Sequence, residues 1–223
     1  MIQIDKTEVF GWESAIRGMR NPMNSWDKSD SGYVELEDWR KADTGEMFEY
    51  VIGQNDLKLM KSLSKAGPDH GKFLRMINVT CDITSMQPWW AEFDTYKVGS
   101  VRNSCSKMHK IHVQPFELED FSHEGCLEVD YAYDALLSVI ETCEKLRQDF
   151  NRTHEKKYWR ALIELLPEGF NMKATVQFNY QVLKAMYNAR KHHKLFEWHD
   201  FCAWCETLPY FKEICLGGDS DEE

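Results

Sequence analysis

Polar and apolar residues alternate along two segments of the chain and follow a helical period along several others. Over 77–84 every second side chain is apolar, which is typical of a strand with one buried face. Ile111 and Val113 alternate with polar neighbours and predict a second, short strand. Residues 1–50 are interrupted by glycine and proline, so we predict an irregular N-terminal region with one short helix over 13–20.

Helical spacing dominates the rest of the chain. The helical spacing that begins at Asp56 stops before the Gly67-Pro68 pair. Apolar residues at helical spacing predict helices over 56–65, 89–97, 129–150, 158–166, 178–195 and 196–208. These patterns predict one α+β domain over 1–216, with helices packed on a small, mostly antiparallel sheet, followed by an acidic disordered tail over 217–223.

The composition narrows the function classes. The chain has 223 residues, of which 43% are hydrophobic and 13% aromatic, enough for a substantial core. Its formal net charge of −10 disfavours nucleic acid polymers, which bind through clustered cations, but permits a small anion held by a few arginines. There is no apolar run of about 18 residues and no signal-peptide pattern, so we expect no membrane partner and a cytoplasmic location.

The cysteines do not predict a metal site. Seven are present, an odd number that gives no disulfide framework. Cys202 and Cys205 form the one C-x-x-C pair, and His199 precedes them by three residues. Because a zinc site needs about four such ligands, we interpret these cysteines as small buried apolar groups and predict no bound metal.

The stretch 98–110 is the most unusual polar segment. It is rich in Gly, Ser and Asn, whose small side chains let backbone N–H groups approach phosphate or carbonyl oxygens. The segment and its neighbour carry a local excess of basic residues: Lys97, Arg102, Lys107, His109 and Lys110. A ligand site and an ordinary connecting loop are both compatible with this composition.

Asn179 and Arg190 form a second polar pair. Eleven residues separate them, close to three helical turns, so a helix would place them on one stripe about 16 Å apart. Leu183 and Met186 on that stripe should face the core, where polar groups are costly unless paired. Two interpretations stay open: a ligand site, or a helix-end arginine in a salt bridge.

These segments, in this order, resemble the flavin-dependent thymidylate synthases. That family's signature is R-H-R-x-x-S-x-N-x-x-S-x-R-Y, and 95–100 (Thr-Tyr-Lys-Val-Gly-Ser) followed by 103–109 (Asn-Ser-Cys-Ser-Lys-Met-His) is similar to it with one extra residue. The family's later pattern is L-P, then N-x-R-x-L and an Arg eleven residues after that Asn. Leu166-Pro167, 179–183 and Arg190 resemble it without a gap.

Two upstream segments extend the resemblance. Ala15-Ile16-Arg17 is similar to the family's early A-A-R. Residues 67–73 resemble its G-H-x-x-x-F-x-H turn, with Arg75 where the last His would fall. The resemblance therefore spans most of 12–197.

The resemblance implies the fold, the reaction and the assembly of that family. The fold would be the flavin-dependent thymidylate synthase-like single α+β domain, and the chain would form a homotetramer that binds FAD and dUMP across subunit interfaces. NADPH would reduce the flavin, methylenetetrahydrofolate would supply the carbon, and dUMP would become dTMP.

The resemblance also implies roles for individual residues. Catalytic roles would fall to Ser106 and Arg190. The substrate-binding residues would be Ser104, Ser106, Arg190 and Arg17. The cofactor-binding residues would be Asn179, Lys97, Ser100, Asn103, Arg75 and Gln181.

Several signature cations are replaced. Where the family has R-H-R, this chain has Thr95-Tyr96-Lys97. Met108 replaces the loop's final Arg, Ile163 replaces the Arg before L-P, and Gln181 replaces the Arg of N-x-R. One interpretation is that other arginines take over: Arg17, Arg20, Arg75, Arg102 and Arg160. The alternatives are a different pyrimidine nucleotide such as dCMP, or a non-catalytic protein that binds nucleotide or flavin with the same fold.

Overall fold

A computed structural model describes residues 1–35 and 48–217. Four antiparallel strands form the main sheet in the order β1-β4-β6-β5, and two more form a separate antiparallel pair. The strands are β1 (Gln3–Phe10), β2 (Gly32–Glu35), β3 (Phe48–Val51), β4 (Asn78–Met86), β5 (Val101–Ser104) and β6 (Asn171–Asn179).

Helices cover the sheet. The α-helices are α1 (Trp12–Arg20), α2 (Gln54–Lys65), α3 (Gln87–Phe93), α4 (Lys107–Lys110), α5 (Glu124–Leu127), α6 (Asp130–Thr153), α7 (Lys156–Leu165), α8 (Tyr180–Arg190) and α9 (Phe196–Thr207). Short 3₁₀ turns span Asn21–Met23, Trp26–Lys28, Gly71–Arg75 and Leu118–Asp120, and a π turn spans Lys212–Leu216. The predicted α+β class, with helices on a small antiparallel sheet, is confirmed.

The strand predicted over 77–84 is β4, at the centre of the sheet. Val79, Cys81 and Ile83 are buried, and their polar neighbours alternate on the other face. β4 pairs with β1 on one side and with β6 on the other. Alternation predicts this strand because a central antiparallel strand with one covered face needs that pattern.

The helix predicted over 178–195 is wrong at its start and its end. Residues Asn171–Asn179 form β6, in which every second residue from Met172 to Phe178 is buried. The helix begins only at Tyr180, because the Asn179 side chain accepts a hydrogen bond from the Val182 N–H and caps it. It ends at Arg190.

Two further predictions are corrected. Of the N-terminal region predicted to be irregular over 1–50, residues 3–20 are regular, because β1 pairs with β4 and α1 buries Ala15 and Ile16 in the core, whereas 36–47 lies outside the described residues. Residues 111–113 are not a strand: they continue the turn after α4 and bury Ile111 in a small cluster beneath α6 and α7. Of the predicted tail, 218–223 lies outside the described residues.

The main core is aromatic. Trp89 and Trp90 of α3 are fully buried, and Trp89 packs against Trp198 of α9 with 5.0 Å between ring centroids. Five cysteines are buried, and burial raises the pKa of Cys202 to about 11. The described residues contain no group of three or more His, Cys, Asp or Glu arranged to hold a metal ion. Within 1–35 and 48–217, no helix has the length and apolar content to cross a membrane.

Candidate functional site

The loop after α3 runs along helix α8. Gly99 has φ +84, and a Cβ at this position would lie 2.9 Å from Val182 Cγ2 and 3.4 Å from Asn179 Nδ2. Further back in the loop, the Tyr96 hydroxyl accepts a hydrogen bond of 2.9 Å from Arg190 Nε. The loop therefore touches both ends of α8, and the two polar segments singled out from the sequence lie together in the fold.

The two ends of α8 differ from the predicted single stripe. Asn179 is the last residue of β6 and uses its Oδ1 atom, 3.1 Å from Val182 N, to cap the helix. A capping residue lies outside the helical repeat, so the geometry expected of a continuous helix from 178 does not apply to it. Asn179 still has its side-chain nitrogen beside Gly99.

Arg190 is held by a carboxylate. Its Nη1 atom lies 2.5 Å from Glu92 Oε2, and its guanidinium carbon lies 4.9 Å from the centroid of the Trp198 ring. The same Glu92 oxygen accepts a hydrogen bond of 3.0 Å from Trp198 Nε1 and lies 3.1 Å from His193 Nε2. Of the two interpretations left open by the sequence, the salt-bridged helix end is the arrangement seen in the structure.

Strand β5 and the residues after it form an open polar edge. β5 is the last strand of the main sheet, and Asn103 and Ser104 are exposed. Ser106 caps the short helix α4 by accepting a hydrogen bond of 3.3 Å from His109 N. Along this edge, hydroxyl groups and strand backbone face solvent, which suits contact with anionic or carbonyl oxygens.

Cations flank this edge. Lys97 is exposed in the loop, and Lys107 is half-buried at the start of α4. Burial and the nearby Arg102 charge lower the pKa of Lys107. Lys107 and Arg102 thus place two cations close together, where an anion would be stabilised.

The other predicted binding residues lie near the start of α8 or on α1. Arg75 is exposed at the end of the 3₁₀ turn Gly71–Arg75, and the opposite end of that turn approaches Gln181, whose Oε1 lies 3.8 Å from a Cβ built on Gly71. Ser100 donates a hydrogen bond to the Tyr96 carbonyl within the loop. Arg17 lies on α1, exposed and 3.8 Å from Glu13.

Three of the arginines considered as replacements are already engaged. Arg20 is buried and bonded to Asp56 at 2.6 Å. Arg102 is 2.8 Å from Asp94 and lies over the Trp90 ring. Arg160 pairs with Glu164 on the same helix. An anionic ligand would therefore have to compete with a carboxylate for each of them.

Sequence reasoning missed Glu92 as the partner of Arg190. The carboxylate is visible in the sequence, but its partners Arg190 and Trp198 are 98 and 106 residues away. The signal available was local: Glu92 follows two buried tryptophans on a short helix, where a charged group needs a partner.

The predicted site is an open surface within one chain. Four of the clefts on the described surface have volumes of about 420 to 830 Å³, and no predicted site residue lines any of these four. The ten predicted residues instead lie on the β5 edge, the loop against α8, the turn before β4 and α1.

The fold is an α+β sheet-and-helix architecture that known structures share. The sequence matches no family model and no curated protein. The chain is similar to the crystal structure of thymidylate synthase X (ThyX) from Helicobacter pylori with FAD and dUMP, with a TM-score of 0.68 and 14% identity over 97% of this chain and 98% of that one. It is also similar to a flavin-dependent thymidylate synthase ThyX from the same organism, complexed with FAD and dUMP, with a TM-score of 0.64 and 15% identity over 96% and 98%.

The chain therefore has the fold of the flavin-dependent thymidylate synthases over nearly its whole length. The resemblance inferred from the ordered sequence segments is confirmed as a likeness of fold. Activity depends on the site and not on the fold.

Proposed function

We propose that this protein is a flavin-dependent enzyme that transfers a one-carbon unit to C5 of a pyrimidine deoxynucleotide. The proposed reaction converts dUMP to dTMP with methylenetetrahydrofolate and NADPH. The observation that supports it best is the packing of the Gly99 loop along α8, between Asn179 and Arg190, within a fold similar to enzymes solved with FAD and dUMP.

The residues present fit a flavin with a diphosphate. Lys97 and Arg75 are exposed cations suited to phosphate, and the close approach of Gly99 to α8 keeps the nearby polar groups together. The proposed cofactor contacts are Asn179, Lys97, Ser100, Asn103, Arg75 and Gln181. FAD would supply the hydride chemistry that side chains cannot.

The nucleotide would contact the polar edge formed by β5 and the residues after it, on the side away from the flavin. Ser104 and Ser106 present exposed hydroxyls, and Arg190 and Arg17 supply charge. In this proposal Ser106 orients the pyrimidine and Arg190 polarises it or binds the phosphate, by the electrostatic stabilisation that positioned donors provide. Arg190 would exchange part of its contact with Glu92 for the ligand.

An open edge needs further walls to exclude water from a reduced flavin. We propose that a second copy of the chain provides them in a homotetramer, which acts on a free nucleotide in the cytoplasm. β5 is an outer strand of the main sheet, and its exposed residues Asn103 and Ser104 are among the proposed contacts.

One observation favours a second candidate. Because Arg190, Arg102 and Arg160 are all paired with carboxylates, the site offers fewer unpaired cations than a nucleotide phosphate normally meets. The alternatives are therefore another pyrimidine nucleotide such as dCMP, or a non-catalytic protein that binds nucleotide or flavin.

The experiment is to purify the protein, record its flavin absorbance and reconstitute it with FAD. We expect bound flavin and release of tritium from C5-labelled dUMP when NADPH and methylenetetrahydrofolate are present. Labelled dCMP, run in parallel, separates the two substrates. Flavin and nucleotide binding without tritium release would favour the non-catalytic candidate, and a protein that binds no FAD would overturn the proposal.

A further inference from the structure

The charged residues on the surface of helix α2 are all lysines, in an acidic protein. Lys58, Lys61 and Lys65 recur at spacings of three and four residues and therefore share one face. The single acidic residue of α2, Asp56, is buried and bound to Arg20. The chain as a whole carries a net charge of −10, so this basic face is not explained by composition.

A cleft of about 420 Å³ opens beside this face. Three lysines line it, two from the last turns of α2 and one from α8, and none of the described residues that line it is a carboxylate. The lining residues are Lys61, Ser62, Lys65, Lys184, Ile214, Cys215, Leu216 and Gly217. Burial raises the pKa of Cys215 to about 12, so the thiol adds no negative charge.

Among the described residues, the three lysines that line the cleft have no carboxylate partner. Lys61 and Lys65 are four residues apart, a spacing at which like charges repel on a helix. An anion between them would remove that repulsion.

An alternative role for these lysines is to stabilise the C-terminus of α2, where free carbonyls attract cations. Lys184 already has that role, because its Nζ donates to the Ser64 carbonyl at 3.0 Å and to the Ser64 hydroxyl at 2.8 Å. Lys61 and Lys65 are therefore not needed to stabilise the C-terminus of α2. Lys184 is also fixed in place by these bonds, which preorganises the cleft.

We propose that this cleft binds a small phosphate-bearing molecule with at least two negative charges, of which a diphosphate is the simplest example. The lysines would bind the phosphate oxygens as point charges, and the Ser62 hydroxyl would add a donor. The apolar side chains of Ile214 and Leu216 would contact a non-polar part of the same ligand. None of the residues proposed to contact flavin or nucleotide lines this cleft, so the inference stands apart from the proposed function.

The test uses inorganic pyrophosphate and the full chain, without flavin or nucleotide, by isothermal titration calorimetry at low ionic strength. We expect one saturable site whose affinity falls as salt is added. Replacing the two α2 lysines that line the cleft, Lys61→Gln with Lys65→Gln, should weaken binding by about tenfold or more. The melting temperature of this variant should be unchanged or higher, because a like-charge pair is removed.

The matched control replaces two exposed lysines of α7, Lys156→Gln with Lys157→Gln, which changes the net charge equally. If both double variants weaken binding to the same degree, only overall charge matters and the proposal is wrong. It is also overturned if no saturable binding occurs. The sequence after Gly217 contains four acidic residues, so binding seen only in a variant that ends at Gly217 would mean that these carboxylates, not an external phosphate, occupy the cleft.

Discussion

Two helix-end arginines, Arg20 of α1 and Arg190 of α8, each bind a carboxylate in very different surroundings. The Arg20 and Asp56 side chains are 5% and 0% exposed, and their closest atoms are 2.6 Å apart. Those of Arg190 and Glu92 are 17% and 33% exposed, with 2.5 Å between the closest atoms. Similar distances thus belong to one fully buried pair and one pair that faces solvent.

The partners of the two carboxylates differ as well. Asp56 accepts hydrogen bonds from the hydroxyls of Ser29 and Ser31, each at 2.7 Å, so one oxygen secures the segment after α1. Burial alone would raise the pKa of Asp56, but hydrogen bonds from Ser31, Ser29 and Arg20 hold it below its usual value. The Arg20 pair is therefore committed to the fold, whereas Arg190 keeps a solvent-facing side on which a ligand can compete with Glu92.

The largest effect is expected for Asp56→Ala. This change leaves Arg20 buried without its counter-ion, so the free energy of unfolding should fall by about 3–5 kcal/mol. Urea unfolding followed by circular dichroism measures it. Glu164→Ala, which breaks the exposed pair with Arg160, is the control and should cost about 0.5 kcal/mol or less. Equal losses in the two variants would contradict the distinction between buried and exposed pairs.

Arg190→Ala should affect ligand binding more than stability. Glu92 keeps Trp198 and His193 as partners and remains partly exposed, so the free energy of unfolding should fall by only about 1–2 kcal/mol. The Kd for dUMP should rise by about tenfold or more. Calorimetric titration and thermal melting of the same samples separate the two effects, with Arg152→Ala as the control. A large drop in melting temperature with unchanged dUMP affinity would show that Arg190 is structural.

A third ion pair, between Glu144 and Arg147, makes the stability of the protein depend on pH and so tests how much a partly buried pair contributes. Hydrogen bonds from Arg147 hold the pKa of Glu144 at about 2, against an ordinary value of 4.5. Because the folded-state pKa is the lower one, the stabilisation is complete above pH 4.5 and is lost as the pH falls toward 2.

The Glu144→Gln variant should therefore be less stable than the parent chain by about 1–2 kcal/mol at neutral pH. The difference should shrink steadily as the pH is lowered below the ordinary carboxyl pKa. Urea unfolding of both proteins between neutral and acidic pH measures it. A gap that is constant with pH would assign the loss to packing instead of to the ion pair.

The smallest effect is expected for Glu92→Gln. The amide oxygen can still accept from Trp198, but the negative charge that competes for Arg190 is gone. The affinity for dUMP should rise by about two- to fivefold, as expected for a partly exposed ion pair. Asp149→Asn, which removes the partner of Arg152 away from the proposed site, is the matched control in the same titration. Weaker binding in Glu92→Gln would mean that Glu92 positions Arg190 for the ligand.

Much of the fold follows from local patterns. The alternation over 77–84 predicts β4, and helical spacing over 129–150 and 196–208 predicts α6 and α9 to within a few residues. β6 was missed although its buried residues also alternate, because Phe178 and the residues after it fit a helical period equally well. The Asn179 cap, which separates strand from helix, depends on its side-chain hydrogen bond and not on hydrophobicity.

From the amino-acid sequence alone follow the buried residues of the elements it predicts, such as β4, α6 and α9, the order of the segments that resemble a known family, and the scarcity of positive charge. The pairing of these charges, in contrast, is set by the tertiary structure. Arg190 meets Glu92, and Arg20 meets Asp56, because helices distant along the chain pack together. Local periodicity reports the face that an element buries, but a side chain's electrostatic partner is set by the element packed against it, and no local pattern records that element.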